Sequence, residues 1–239
     1  MTAKPRIMFP LLILILLAGG FYTLGSYLSL IGLLPPVVAD NLPLHLPGEL
    51  SPSIVAHKPP AELTVADQLV LGARQEVKRG TLYDASYQVI AYPGGDVKPG
   101  VGACSDVIIR AYRSAGIDLQ VLVHEDMAQH FTAYPQSWGL KAPDANIDHR
   151  RVLNLACFFK RHGQTLTTEV EGQLDQWQWG DIVVWRFNDG RTHIGIISDR
   201  QSTNGIPAIL DNSGIARERP YLQATGWTII GHYRYPSPK

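Results

Sequence analysis

The chain has 239 residues, with 45% apolar and 18% charged side chains, and 21 basic residues balance 21 acidic ones. A zero formal charge excludes a nucleic-acid binder that works by counterion release, which needs a basic surplus. Ample Leu, Ile, Val and aromatics exclude disorder throughout, and two cysteines are too few for a disulfide scaffold or a multi-cysteine zinc site.

The charged share falls below the usual ~25%, and the deficit lies at the N-terminus. From Ile7 to Leu34 there is no Asp, Glu, Lys, Arg or His. As helix, this run is about 40 Å long, more than a bilayer core requires. Lys4 and Arg6 precede it and Asp40 is the first acidic residue after it, which predicts a cytoplasmic N-terminus and an exported remainder. Residues 1–34 are therefore expected to form a transmembrane anchor. The alternative is a signal peptide cleaved after Val37, Val38 and Ala39, which would also export the rest of the chain, but the apolar run is about twice the usual length for one. Seven prolines between Pro35 and Pro60 predict a semi-extended linker over 35–60, followed by one domain over 61–239.

In that domain, Thr64 and Asp67 resemble a capping pair, and Val65, Leu69, Ala73 and Val77 follow at helical spacing up to Gly80. Residues 81–103 read as irregular. Val107, Ile108, Ala111, Tyr112 and Ala115 make one face of a helix that starts at Cys104 and stops at Gly116. Leu119–Phe131 is a second helix, 134–147 an ordered loop, and Asp148 is expected to cap a helix reaching Arg161. Strands are predicted over 181–187, 192–198, 207–210 and 227–235, with Asn188, Asp189 and Gly190 as a turn. Helices first and an antiparallel sheet second imply an α+β domain.

Three residues carry candidate chemistry. Cys104 begins a helix, where the dipole favours a thiolate and the free N–H groups of the first turn can hold an oxyanion. His193 lies near the start of a strand, sharing a face with Gly195, which leaves room beside the ring. Asp211 ends the next strand and can fix the imidazole tautomer, with Asn212 beside it as the other possible orienter. Taken singly, a Cys is more often a small core residue and a His a packed one. Ser105 and Asn212 are auxiliary candidates. Asp106, His149, Arg150 and Arg151 are substrate-binding candidates, because arginine grips carboxylates in bidentate fashion. His124 and His130 do not have zinc-motif spacing, so no metal is expected. Trp138, Trp177 and Trp179 can line a groove, while Trp185 reads as core. A Cys104–Cys157 disulfide is a competing use of Cys104, but Cys157 sits mid-helix among Leu155, Phe158 and Phe159.

Gly102–Cys104 with Arg110 and Arg113, His124–Met127, Trp138–Leu140, Asn146–Arg151, Gly180 and Asp181, His193 with Gly195, and Gly231–Tyr235 together resemble the bacterial YijF-like domain of unknown function. That family is grouped with the NlpC-type branch of the papain-like cysteine peptidases, and the resemblance runs from about Thr64 to Tyr235. It implies a papain-like, NlpC-like fold and a Cys104–His193–Asp211 triad cutting amide bonds in peptidoglycan stem peptides, without a cofactor. Two positions depart from the wider pattern: Asp211 stands where His or Asn is common, and Ala103 stands where Asp usually precedes the Cys. The expected partners are a cell-wall peptide and, through the anchor, the membrane, with no nucleic acid. The rival readings are a non-catalytic wall-binding module, and an acyltransferase or lipid-amide hydrolase on the same fold.

Overall fold

The computed structural model describes residues 50–237. The predicted anchor at 1–34 and the first part of the linker lie outside the described residues. No helix among the described residues is long and apolar enough to cross a membrane.

Four α-helices lie among the described residues: α1 Val65–Arg79, α2 Cys104–Ser114, α3 Leu119–His130 and α4 Val152–His162. The strands are β1 Leu82–Tyr83, β2 Val101–Gly102, β3 Gln164–Thr165, β4 Ile182–Phe187, β5 Thr192–Gln201, β6 Pro207–Asn212, β7 Ala216–Arg219 and β8 Trp227–Arg234. β1 and β2 form a short parallel pair, and the other six make one antiparallel sheet in the order β3-β8-β4-β5-β6-β7. The α+β expectation holds at this level.

The sheet is covered on both faces, which explains its unbroken apolar runs. Ile182, Val184, Ile194, Ile196 and Leu210 pack against the helices, with Leu69, Val107, Ile108 and Phe159. The alternate set, Val183, Trp185, Ile197 and Ile209, joins Val170, Trp177 and Leu222 in a second core. Period-two alternation divides neighbouring residues between the two cores. Trp185 is fully buried, as its strand position predicts.

Four expectations need correction. The linker does not extend to residue 60. Ser51 donates its N–H to the Gln201 carbonyl at 2.8 Å, Val55 is buried, and the Ser53 hydroxyl and Val55 N–H both bond Asp199. Arg74 binds Asp199 at 2.5 Å and Glu218 at 2.6 Å from the other side, so residues 50–60 belong to the domain. Second, Asp148 does not cap α4. It begins a short 3-10 turn, Asp148–Arg150, and the extended backbone of Arg151 separates that turn from the helix. Asp148 instead accepts the Asp144 N–H and contacts His124. Third, both cysteines are free, so the disulfide reading of Cys104 fails here, and half-buried Cys157 points its thiol at the Ala133 carbonyl.

Fourth, the space at Gly195 is not beside the His193 ring. A Cβ there would stand 2.6 Å from Ile209 Cγ2 and 3.3 Å from the Trp185 ring. Gly195 is what leaves room for the Ile209 side chain and the Trp185 ring. Gly195→Ala is expected to destabilise the domain by about 1–3 kcal/mol through overpacking, read as a lower urea midpoint with an unchanged m-value.

Candidate active site

The loop entering α2 sets the position of Cys104. β1 pairs in parallel with β2, matching Leu82 with Val101 and Tyr83 with Gly102. The Asn212 side-chain amide donates to the carbonyls of Gly102 at 2.9 Å and Thr81 at 3.2 Å, which ties this loop to the end of β6. Ala103 is the N-cap of α2 and has no side chain with which to cap. Asp106 reaches back instead and accepts the Ala103 N–H at 2.6 Å. A Cβ on Gly102 would stand 2.9 Å from Asp106 Cβ, so the glycine makes room for this back-turned carboxylate. Cys104 then occupies the first position of the helix, where N–H groups have no intrahelical acceptor.

His193 is the second residue of β5 and lies in register with Trp185 of β4. Its Nε2 stands 2.5 Å from Asp211 Oδ2. Cys104 is near enough to favour the protonated ring. No aligned Sγ–imidazole hydrogen bond is formed among the described residues, a looseness common in ligand-free nucleophile–base pairs. Burial disfavours the imidazolium, but the Asp211 hydrogen bond and then the Cys104 contacts outweigh it and raise the His193 pKa to about 9. Trp185, Phe187 and Trp227 surround the ring, each with a centroid 5.8 Å away. Cys104 and His193 are only 3% and 4% exposed, and Asp211 is fully buried.

Cys104, His193 and Asp211 therefore come together. Asp211 is the residue that meets His193, while Asn212 serves the Cys104 loop. Chemically, the arrangement offers a cysteine sulfur beside an imidazole whose protonated form and orientation a carboxylate favours, at a helix N-terminus that can stabilise an anion.

The other candidates fall elsewhere. The Ser105 hydroxyl is buried and donates to the Arg150 carbonyl at 2.7 Å, so only its backbone N–H can serve an oxyanion. Substrate contact by Asp106, Arg150 and His149 is corrected. Arg150 Nε and Nη2 grip Asp106 in a buried bidentate pair at 2.8 and 2.9 Å, and Nη1 donates to the Ser86 carbonyl. His149 is 1% exposed, and burial, helped by Arg150 and Arg113, lowers its pKa to about 4, so it is neutral at pH 7. Arg151 is half-buried, with its guanidinium 4.2 Å over the Trp138 ring. Among the tryptophans, Trp177 is buried, while Trp138 and Trp179 are exposed.

Sequence reasoning missed Tyr83. It is 47% exposed, and its hydroxyl is made less acidic by burial and then by Cys104. Residue spacing carries no sign of this, because β1 meets β2 only through a parallel pairing of two residues. Tyr221 was also missed; it lies outside the strands, yet Asp211 is among the groups that make its hydroxyl less acidic, after burial.

A family model described as a domain of unknown function, DUF1287, matches residues 70–235. The chain is 47% identical over 185 residues to the "Uncharacterized protein YijF" of Escherichia coli (strain K12), covering 77% of this chain and 86% of the relative. No solved structure matches. On these matches, the chain belongs to the DUF1287 family.

Proposed function

We propose that the protein is a cysteine hydrolase of papain-like, NlpC-like type that cuts amide bonds in peptidoglycan stem peptides. On this reading it works outside the cytoplasm, held by the uncharged segment Ile7–Leu34. The observation that carries it is the meeting of Cys104, His193 and Asp211, from a helix start and two adjacent strands, with Asp211 on Nε2 of the ring and Cys104 near enough to favour its protonated form.

The chemistry follows from those positions. In the reactive pair the proton of Cys104 resides on His193, and the thiolate sulfur attacks the amide carbonyl to form a C–S bond. First-turn N–H groups of Cys104 and Ser105 face the oxyanion. His193 passes its proton to the leaving amine as the C–N bond breaks, leaving a thioester. Water, deprotonated by His193, then breaks the C–S bond and releases the carboxylic acid.

A second reading, a wall-binding module without turnover, draws on the near-complete burial of Cys104 and His193. One experiment separates the two. The full chain is incubated with murein fragments, and the products are analysed by mass spectrometry. New amine and carboxyl ends that disappear with Cys104→Ala support the hydrolase. Fragments retained on the protein without new ends, together with slow labelling of Cys104 by iodoacetamide at neutral pH, support the binding module.

A further inference from the structure

The environment of Asp211 contains more polar machinery than a three-residue site uses. Its Oδ2 faces His193, but Oδ1 is buried with no hydrogen-bond partner among the described residues. Arg219 Nη2 stands 4.0 Å from that oxygen. The Tyr221 hydroxyl and Arg219 Nε are also buried without hydrogen-bond partners. Buried polar atoms are rarely left unpaired, and here one carboxylate acceptor is grouped with two kinds of donor.

Both donors are held in place by contacts of their own. The Tyr221 ring stacks on Trp185 at 5.9 Å, meets Trp227 edge-on at 5.2 Å, and lies 4.7 Å beneath the Arg219 guanidinium. Arg219 Nη2 donates to Ser213 Oγ at 2.6 Å. Burial and the neighbouring Asp211 keep the Tyr221 hydroxyl protonated, and therefore a donor.

We infer that Tyr221 and Arg219 are positioning residues that hold Asp211 Oδ1 and so keep Oδ2 aimed at His193. The inference rests on the proposed role of the His193–Asp211 pair and enlarges that site from three residues to five. A fully buried carboxylate that lost these neighbours would be penalised as an anion, and it would be free to turn away from the imidazole. Other elements surround the ring too, and the charge nearest them is the Arg191 guanidinium, 5.5 Å over the Phe187 ring that stacks on His193. α2 supplies Cys104; β4 and β8 supply the aromatic Trp185, Phe187 and Trp227; and Arg217, in register with Asp211, is exposed.

The test follows the His193 imidazole by NMR titration in the reduced full chain, comparing Tyr221→Phe and Arg219→Gln with the parent. Phenylalanine keeps the ring contacts and removes only the hydroxyl. Each variant is expected to lower the His193 midpoint by about one unit, with Arg219→Lys falling less than Arg219→Gln. A midpoint that stays put in both variants, or rises in either, overturns the positioning role. The measurement needs no substrate. A shifted midpoint in a protein that cleaves no murein would sink the hydrolase reading and leave this one standing, whereas an unshifted midpoint in an active enzyme would do the reverse.

Discussion

On the proposed hydrolase reading, replacing Cys104 with Ala is expected to reduce peptide hydrolysis on the order of 10⁵-fold or more, because the covalent route is lost while the fold remains. Cys104 is a small residue at a helix start, and Ala fits the same space. His193→Ala removes proton transfer and is expected to cost on the order of 10²–10⁴-fold. Asp211→Asn gives a more diagnostic result. The Asp211 hydrogen bond is the largest influence raising the His193 pKa to about 9 against the opposing effect of burial. In the parent, kcat/KM should therefore fall as pH rises through about 9, where the imidazolium that protonates the leaving amine is lost. In Asp211→Asn that alkaline limb should move down toward 6.5. Stability follows the same sign. A histidine pKa raised on folding stabilises the native state fully below about 6.5, and that contribution disappears as pH rises through about 9. Thermal unfolding of the parent across pH 6–10 should show this loss, and Asp211→Asn should flatten it. An alkaline limb that does not move in Asp211→Asn would show that another group sets it.

Much of this site was legible in the chain because its parts are local. The spacing of Val107, Ile108, Ala111 and Tyr112, stopped by Gly116, placed Cys104 at a helix start. The strand pattern placed His193 near the start of β5 and Asp211 at the end of β6, the next strand. Long-range pairing was what remained hidden. Asp106 and Arg150 are 44 positions apart, and nothing local distinguishes an arginine that grips a substrate from one that grips the protein. The choice between Asp211 and Asn212 depended on the ends of β6 and on the loop at Gly102, whose carbonyl the Asn212 amide reaches. β7, only four residues long and reading Ala-Arg-Glu-Arg, has no apolar alternation by which to recognise it. It nevertheless supplies Glu218 to Arg74 and brings Arg219 to Asp211. Asp148 had the composition of a cap, but the extended backbone at Arg151 detached it from the helix it was expected to start.

The correction at Arg150 carries the second large effect. With side-chain exposures of 2% for Arg150 and 4% for Asp106, the pair is desolvated, and each partner depends on the other. Burial opposes the charged guanidinium, but Asp106 more than compensates and raises its pKa. Arg150→Met leaves a buried, unpaired carboxylate, so the domain should lose about 3–5 kcal/mol of stability in urea unfolding. Lysine is a poor substitute, because a point charge cannot reproduce the bidentate grip or reach the Ser86 carbonyl as well. The damage should also reach the thiol. Asp106 holds the Ala103 N–H, and the Arg150 carbonyl holds the Ser105 hydroxyl, so the residues on both sides of Cys104 are fixed through this pair. Activity at low temperature, where the variant is still folded, should fall mainly in kcat, since the oxyanion-facing N–H groups lose their alignment. A substrate-binding arginine would behave in the opposite way, raising KM while leaving the urea midpoint in place. Measuring both quantities on Arg150→Met decides whether this residue serves the substrate or holds the start of the Cys104 helix.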